Sequence, residues 1–84
     1  MNLYWVEEKD AEWGVFVFAK TRNKARSMLP DYEDEVWYVN TRAKLIGKTE
    51  EVTQETLVDW YLHPLYPLVQ KLGGKFADPE SEEE

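Results

Sequence analysis

Few side chains in this chain could do covalent chemistry. His63 is its one histidine, it has no cysteine, and its only serines are Ser27 and Ser81. Hydrolytic nucleophiles need a base within reach and a third group to orient that base. Asp59 and His63, four apart in a segment with helical spacing, supply the base and its orienter without a nucleophile. His63 adjoins Pro64 at the end of that segment, where an imidazolium suits the negative end of a helix dipole, so a capping or surface pair is the simpler reading. A zinc site draws on several His or Cys ligands, which the composition does not provide. Asp31, Glu33, Asp34 and Glu35 offer oxygens suited to calcium or magnesium, but without the glycine and ligand spacing of an EF-hand loop. Gly73-Gly74 has neither phosphate-loop pattern. The expectation is a non-enzyme with no metal or cofactor, acting by binding.

Two surfaces could do that binding, and they have opposite charge. The formal net charge is -7, but Asp78, Glu80, Glu82, Glu83 and Glu84 hold five of the seventeen acids; residues 1–77 carry twelve acids against ten bases, a net of -2. Within that body, charge comes in blocks. Asp31, Glu33, Asp34 and Glu35, then Glu50 and Glu51, with Glu55 and Asp59 beyond, could imitate a row of phosphates and occupy a basic groove. Against them stand Arg22, Lys24 and Arg26 at a helix start, and Tyr38, Arg42 and Lys44 along a strand. Rings mixed with cations are how single-strand platforms are built. The low sequence pI, near 4.7, weighs against a phosphate polymer and makes nucleic acid the secondary expectation.

The elements that must position these groups are organised around Trp13 to Ala19, apolar on both alternating sets, which reads as a central strand covered on both faces. Leu3 to Val6 is a short strand, and polar Glu7 to Glu12 is the loop of a hairpin joining the two. Thr21 is the expected N-cap of a helix with Ala25, Met28 and Leu29 inward, stopped at or before Leu29 by Pro30. Val36 to Ile46 alternates as a half-buried strand. Thr53 is the expected N-cap of a second helix with Leu57, Trp60 and Tyr61 buried, Val52 and Leu57 forming its hydrophobic staple. After His63-Pro64 a third helix places Leu65, Leu68, Val69 and Leu72 on one face and ends at Gly73-Gly74.

The expected fold is therefore α+β, a three-stranded, mostly antiparallel sheet with packed helices in the order β-β-α-β-α-α. Residues 1–77 form its one domain, and residues 78–84 an acidic flexible tail. Tyr4, Phe16, Phe18 and Tyr38 are expected to share a face, which leaves monomer and homodimer both open. No segment has the apolar length of a membrane span or the flanks of a signal peptide, so a cytoplasmic protein with no membrane contact is expected.

Thr21-Arg22-Asn23-Lys24-Ala25-Arg26, with Glu35 to Lys44 after it, resembles a pattern in small uncharacterised proteins encoded by phages and prophages, a basic helix leading into a strand that ends R-x-K/R. The likeness covers about a third of the chain and transfers no site residues. It implies an accessory protein of a mobile element, one recurring class of which inhibits host defence nucleases. Gly14 to Phe18 also resembles the aromatic strand of an RNA-recognition motif, in a different order of elements. Together these give the functional expectation: an acidic inhibitor or decoy whose partner is a protein, such as a host nucleic-acid-handling complex, with a single-stranded nucleic-acid-binding module as the alternative.

Overall fold

The computed structural model describes residues 1–9 and 13–76. Asn2–Glu8 (β1) and Gly14–Ala19 (β2) pair antiparallel from Asn2 opposite Ala19 to Glu7 opposite Gly14. Alternation then sorts the side chains by face. Tyr4, Val6, Val15, Val17 and Ala19 lie on one side with Ala25, Leu29 and Val36; Leu3, Phe16 and Phe18 lie on the other with Val52, Val58, Tyr66 and Val69. The sheet is thus covered above and below. Phe18, at 0% exposure, contributes about 1.5–3 kcal/mol by burial alone.

The first face is covered by Arg22–Tyr32 (α1). Thr21 caps it, its Oγ1 accepting from the Lys24 amide at 3.1 Å. The helix runs through Pro30 to Tyr32 rather than stopping at Leu29. Proline there forfeits one hydrogen bond to the preceding turn, and the burial of Leu29 together with the 2.9 Å bond from the Glu33 amide to the Leu29 carbonyl holds the last turn closed. The second face is covered by Tyr66–Lys71 (α2), where Val69 is buried and Leu65, Leu68 and Leu72 pack beside it. Gly73, at φ 106°, ends α2: its amide bonds Gln70 and the Gly74 amide bonds Val69, the paired pattern of a Schellman stop.

The three-stranded β-β-α-β-α-α arrangement is corrected on three points. The sheet has four strands, in spatial order β3-β1-β2-β4, and the described residues hold two α-helices in the chain order β-β-α-β-β-α. The third strand is Thr41–Lys48 (β3), not Val36 to Ile46; Tyr38–Asn40 forms a 3-10 turn before it. Pairing runs out there, because Glu8 opposes Thr41 and the Lys9 amide closes the ladder on the Asn40 carbonyl at 2.7 Å. Trp37 and Val39 consequently stand 72% and 70% exposed. The helix expected from Thr53 is instead Thr56–Val58 (β4), paired antiparallel with Phe16 to Phe18. Since β2 is buried on both faces, its free edge would have left unpaired amides and carbonyls away from water, and β4 satisfies them. Leu57 turns toward the α1 face and Val58 toward the other, while Trp60 and Tyr61, expected inside, are 52% and 55% exposed.

The shared face expected for Tyr4, Phe16, Phe18 and Tyr38 is corrected as well. Tyr4 lies under α1, Phe16 and Phe18 on the α2 side, and Tyr38 outside the sheet. Residues 10–12 of the hairpin loop, and the expected tail at 78–84, lie outside the described residues. No described helix is long and apolar enough to cross a membrane.

Candidate nucleic-acid interface

Cations gather around the edge strand β3. Arg22 opens α1 and Arg26 follows one turn later, so both project from one side of the helix. Because α1 packs across β1, β2 and β3, that side overhangs the start of β3. Lys9, held against the same corner by its amide bond to Asn40, completes a cleft of about 290 Å³ lined by Lys9, Arg22, Arg26, Thr41, Arg42 and Ala43.

Arg26 is the fixed member. Its Nε donates to Thr41 Oγ1 at 3.1 Å, its Nη2 donates to the Tyr38 carbonyl at 3.2 Å, and its guanidinium lies 4.5 Å from the centre of the Tyr38 ring. Thr41, 1% exposed, donates from the same hydroxyl to the Tyr38 carbonyl at 2.7 Å. Arg42 borders the cleft from β3, but its guanidinium is drawn to Glu7 at 3.1 Å. Glu7 also accepts from Trp5 Nε1 at 3.0 Å. Among the described residues, Lys9, Arg22 and Arg26 have no carboxylate within ion-pairing distance.

The next outward side chain of β3, Lys44, stands opposite Trp5 on the α2 side of the sheet. There a second cavity, of about 250 Å³, is lined by Trp5, Phe16, Lys44, Ile46, Gly73, Gly74 and Lys75. The edge strand is therefore flanked by cations on both faces: Arg22 and Arg26 above, Lys44 and Lys75 below, with Arg42 on the lower face paired to Glu7.

Of the six basic-surface residues expected from sequence, the structure brings Arg22, Arg26 and Tyr38 to one corner; Arg42 borders it along β3 but turns its guanidinium to Glu7, on the Trp5 side of the sheet. Lys44 lies on the far face, and Lys24 is exposed and outside the cleft. Sequence spacing does not reveal Lys9 and Lys75, which strand pairing and the α2 stop bring in from distant stretches, or Thr41, whose buried hydroxyl is a partner only once Arg26 lies over it. The acids fall into two groups. Asp31, Glu33, Asp34 and Glu35 cluster around the end of α1, where Tyr32 donates to Asp59 Oδ2 at 3.1 Å. Glu50 and Glu51 follow β3 at the opposite end of the sheet, beside Met1 and Lys71. They do not form one row.

The Asp59–His63 pair is not joined. Asp59 accepts from Tyr32, while His63 Nδ1 accepts from the Leu65 amide at 3.0 Å, spending the nitrogen a base would use. Hydrogen bonding to Asp59, then desolvation and the charges of Asp59 and Glu33, hold the Tyr32 hydroxyl above its usual pKa. The described residues contain no group of three His, Cys, Asp or Glu side chains placed to hold a metal. No protein-family model, curated protein or solved structure matches the chain.

Proposed function

We propose that this is a non-enzymatic, cytoplasmic binding protein that takes up single-stranded nucleic acid along the β3 edge. One observation carries the reading: in a chain of net charge -7, Lys9, Arg22 and Arg26 line a single cleft with no carboxylate paired to them among the described residues. Holding like charges together opposes folding unless an anion joins them, and Arg26 is fixed in place by Thr41 and Tyr38 rather than by a carboxylate. Beside the cleft, Tyr38 and the exposed Trp37 offer rings on which bases can stack. The low overall pI is a weaker objection than composition suggests, because screening limits distant acids to about 8 Å in physiological salt.

The test is the affinity for a labelled single-stranded oligonucleotide as salt is raised. Three or four phosphate contacts predict a fall of about 20- to 50-fold between 50 and 200 mM salt. Arg22→Gln should weaken binding and reduce the salt slope by about one contact. Absence of binding at low salt, or affinity indifferent to salt, refutes the reading.

The second reading keeps the acids as the active surface, in an accessory protein of a phage or other mobile element that caps a basic groove of a host complex. It is favoured by Asp31, Glu33, Asp34 and Glu35, which have no ion pair among the described residues and adjoin the exposed Trp37. Charge reversal at these four positions should abolish capture of such a partner; capture unchanged by it removes this reading.

A further inference from the structure

The cavity on the α2 face has a construction the cleft lacks. Its aromatic wall is the Trp5 indole, backed by the buried Phe16 at a ring-centroid distance of 4.8 Å, with Phe76 packed behind on Phe16 at 4.9 Å and on Trp5 at 6.0 Å. The indole is held in place by its Nε1 bond to Glu7. Lys44 and Lys75 line the same cavity, and neither has an ion pair among the described residues. The amides of Gly73 and Gly74 are both committed to the end of α2, which leaves anion recognition to the two ammonium groups. Gly74 could not be larger: a Cβ there would sit 2.7 Å from Phe16 Cε1 and from Val69 Cγ1. The backbone is thus drawn tightly against the aromatic cluster.

At about 250 Å³ the cavity is smaller than most drug-sized pockets, which begin near 300 Å³. It suits one planar ring system rather than an extended ligand. The Trp5 indole selects a π-face, and two ammonium groups at its side select a negative charge attached to that ring by a short spacer.

We infer that this cavity seats a single nucleotide, its base against the half-buried Trp5 indole and its phosphate between Lys44 and Lys75. The inference rests on the reading of β3 as a single-strand binding edge and adds to it where one base leaves the strand's path. Lys44 joins the two, being the cationic β3 residue that lines this cavity.

The experiment is an amide NMR titration of the full chain with three probes: adenosine monophosphate, adenosine and inorganic phosphate. The mononucleotide should give saturable shifts at Lys44, Gly73, Gly74 and Lys75, with adenosine and inorganic phosphate each binding about tenfold more weakly or worse. Lys75→Gln, at an exposed position, should weaken the mononucleotide about tenfold and bring it level with adenosine. Shifts confined to Arg22, Arg26 and Thr41, no shifts, or equal effects from inorganic phosphate overturn the seat. If an oligonucleotide still binds with its salt dependence intact, the seat alone has failed. If no oligonucleotide binds, the reading of the β3 edge has failed with it.

Discussion

Thr41→Val is the most informative single perturbation, because one hydroxyl ties the candidate cleft to the fold. Thr41 Oγ1 accepts from Arg26 Nε at 3.1 Å and donates to the Tyr38 carbonyl at 2.7 Å, in a side chain 1% exposed. Valine keeps the shape and removes both bonds. The neutral bond is worth about 0.5–1.5 kcal/mol and the one from the guanidinium about 1.5–3 kcal/mol when shielded. The second figure falls toward its lower end because Arg26 is half-exposed and water can reach its Nε. The Tyr38 carbonyl is not orphaned, since Arg26 Nη2 still donates to it at 3.2 Å. A buried methyl in place of the hydroxyl returns about 0.8 kcal/mol. The net expectation is a loss of about 1–2 kcal/mol, visible as a lower urea midpoint at unchanged m-value and a Tm drop of ~4–8 °C per kcal/mol.

A double-mutant cycle with Arg26→Met, which retains the aliphatic stem, isolates the Arg26–Thr41 term. A coupling of about 1 kcal/mol is expected, within the range for contacting residues. A coupling near zero would mean that Thr41 does not hold the guanidinium, and the argument for a preformed cleft would go with it.

Gly74→Ala should destabilise by about 1–3 kcal/mol, read by thermal melting, because its Cβ would collide with Phe16 and Val69 in a packed core. Tyr32→Phe should lower stability slightly at neutral pH, where the bond to Asp59 is intact, and the difference from wild type should fade in alkali. The folded-state pKa of Tyr32 is raised above the ordinary value of about 10, so its contribution is complete below that pH and is lost as pH rises through the folded value. Wild type should therefore lose stability faster than the variant in that alkaline window in paired urea melts, and parallel curves would contradict the assignment. Trp60→Ser should change stability by less than about 0.5 kcal/mol, since the ring is half out of the fold; a loss near 3 kcal/mol would restore the buried helix.

What the sequence made legible was local. Leu3, Trp5 against Tyr4, Val6, and Val15, Val17, Ala19 against Phe16, Phe18 separate onto two faces by alternation, and that parity places the two covering layers. The Thr21 cap and the Gly73-Gly74 stop are equally short-range. The segment from Val52 to Tyr61 is ambiguous in sequence, because Val52, Leu57, Trp60 and Tyr61 satisfy a helical stripe as well as Leu57 and Val58 satisfy a strand. The free edge of β2, some forty residues earlier in the chain, decided between them. The same limit applied to the site. Arg22 and Arg26, one turn apart, could be grouped from their spacing, whereas Lys9 and Lys75 arrive through pairing and through the end of α2. Parity groups Arg42 with Lys44, because Ala43 packs on the α1 face and both its neighbours must take the other.

The central claim, that the β3 edge and its flanking cations form the binding surface, is tested most directly by mapping amide shifts while the full chain is titrated with a short single-stranded oligonucleotide. The account predicts shifts concentrated at Lys9, Arg22, Arg26, Thr41, Arg42 and Lys44, fading as salt is raised. Shifts centred instead on Asp31 to Glu35 and Trp60 to Leu62, or no shifts at low salt, would contradict it.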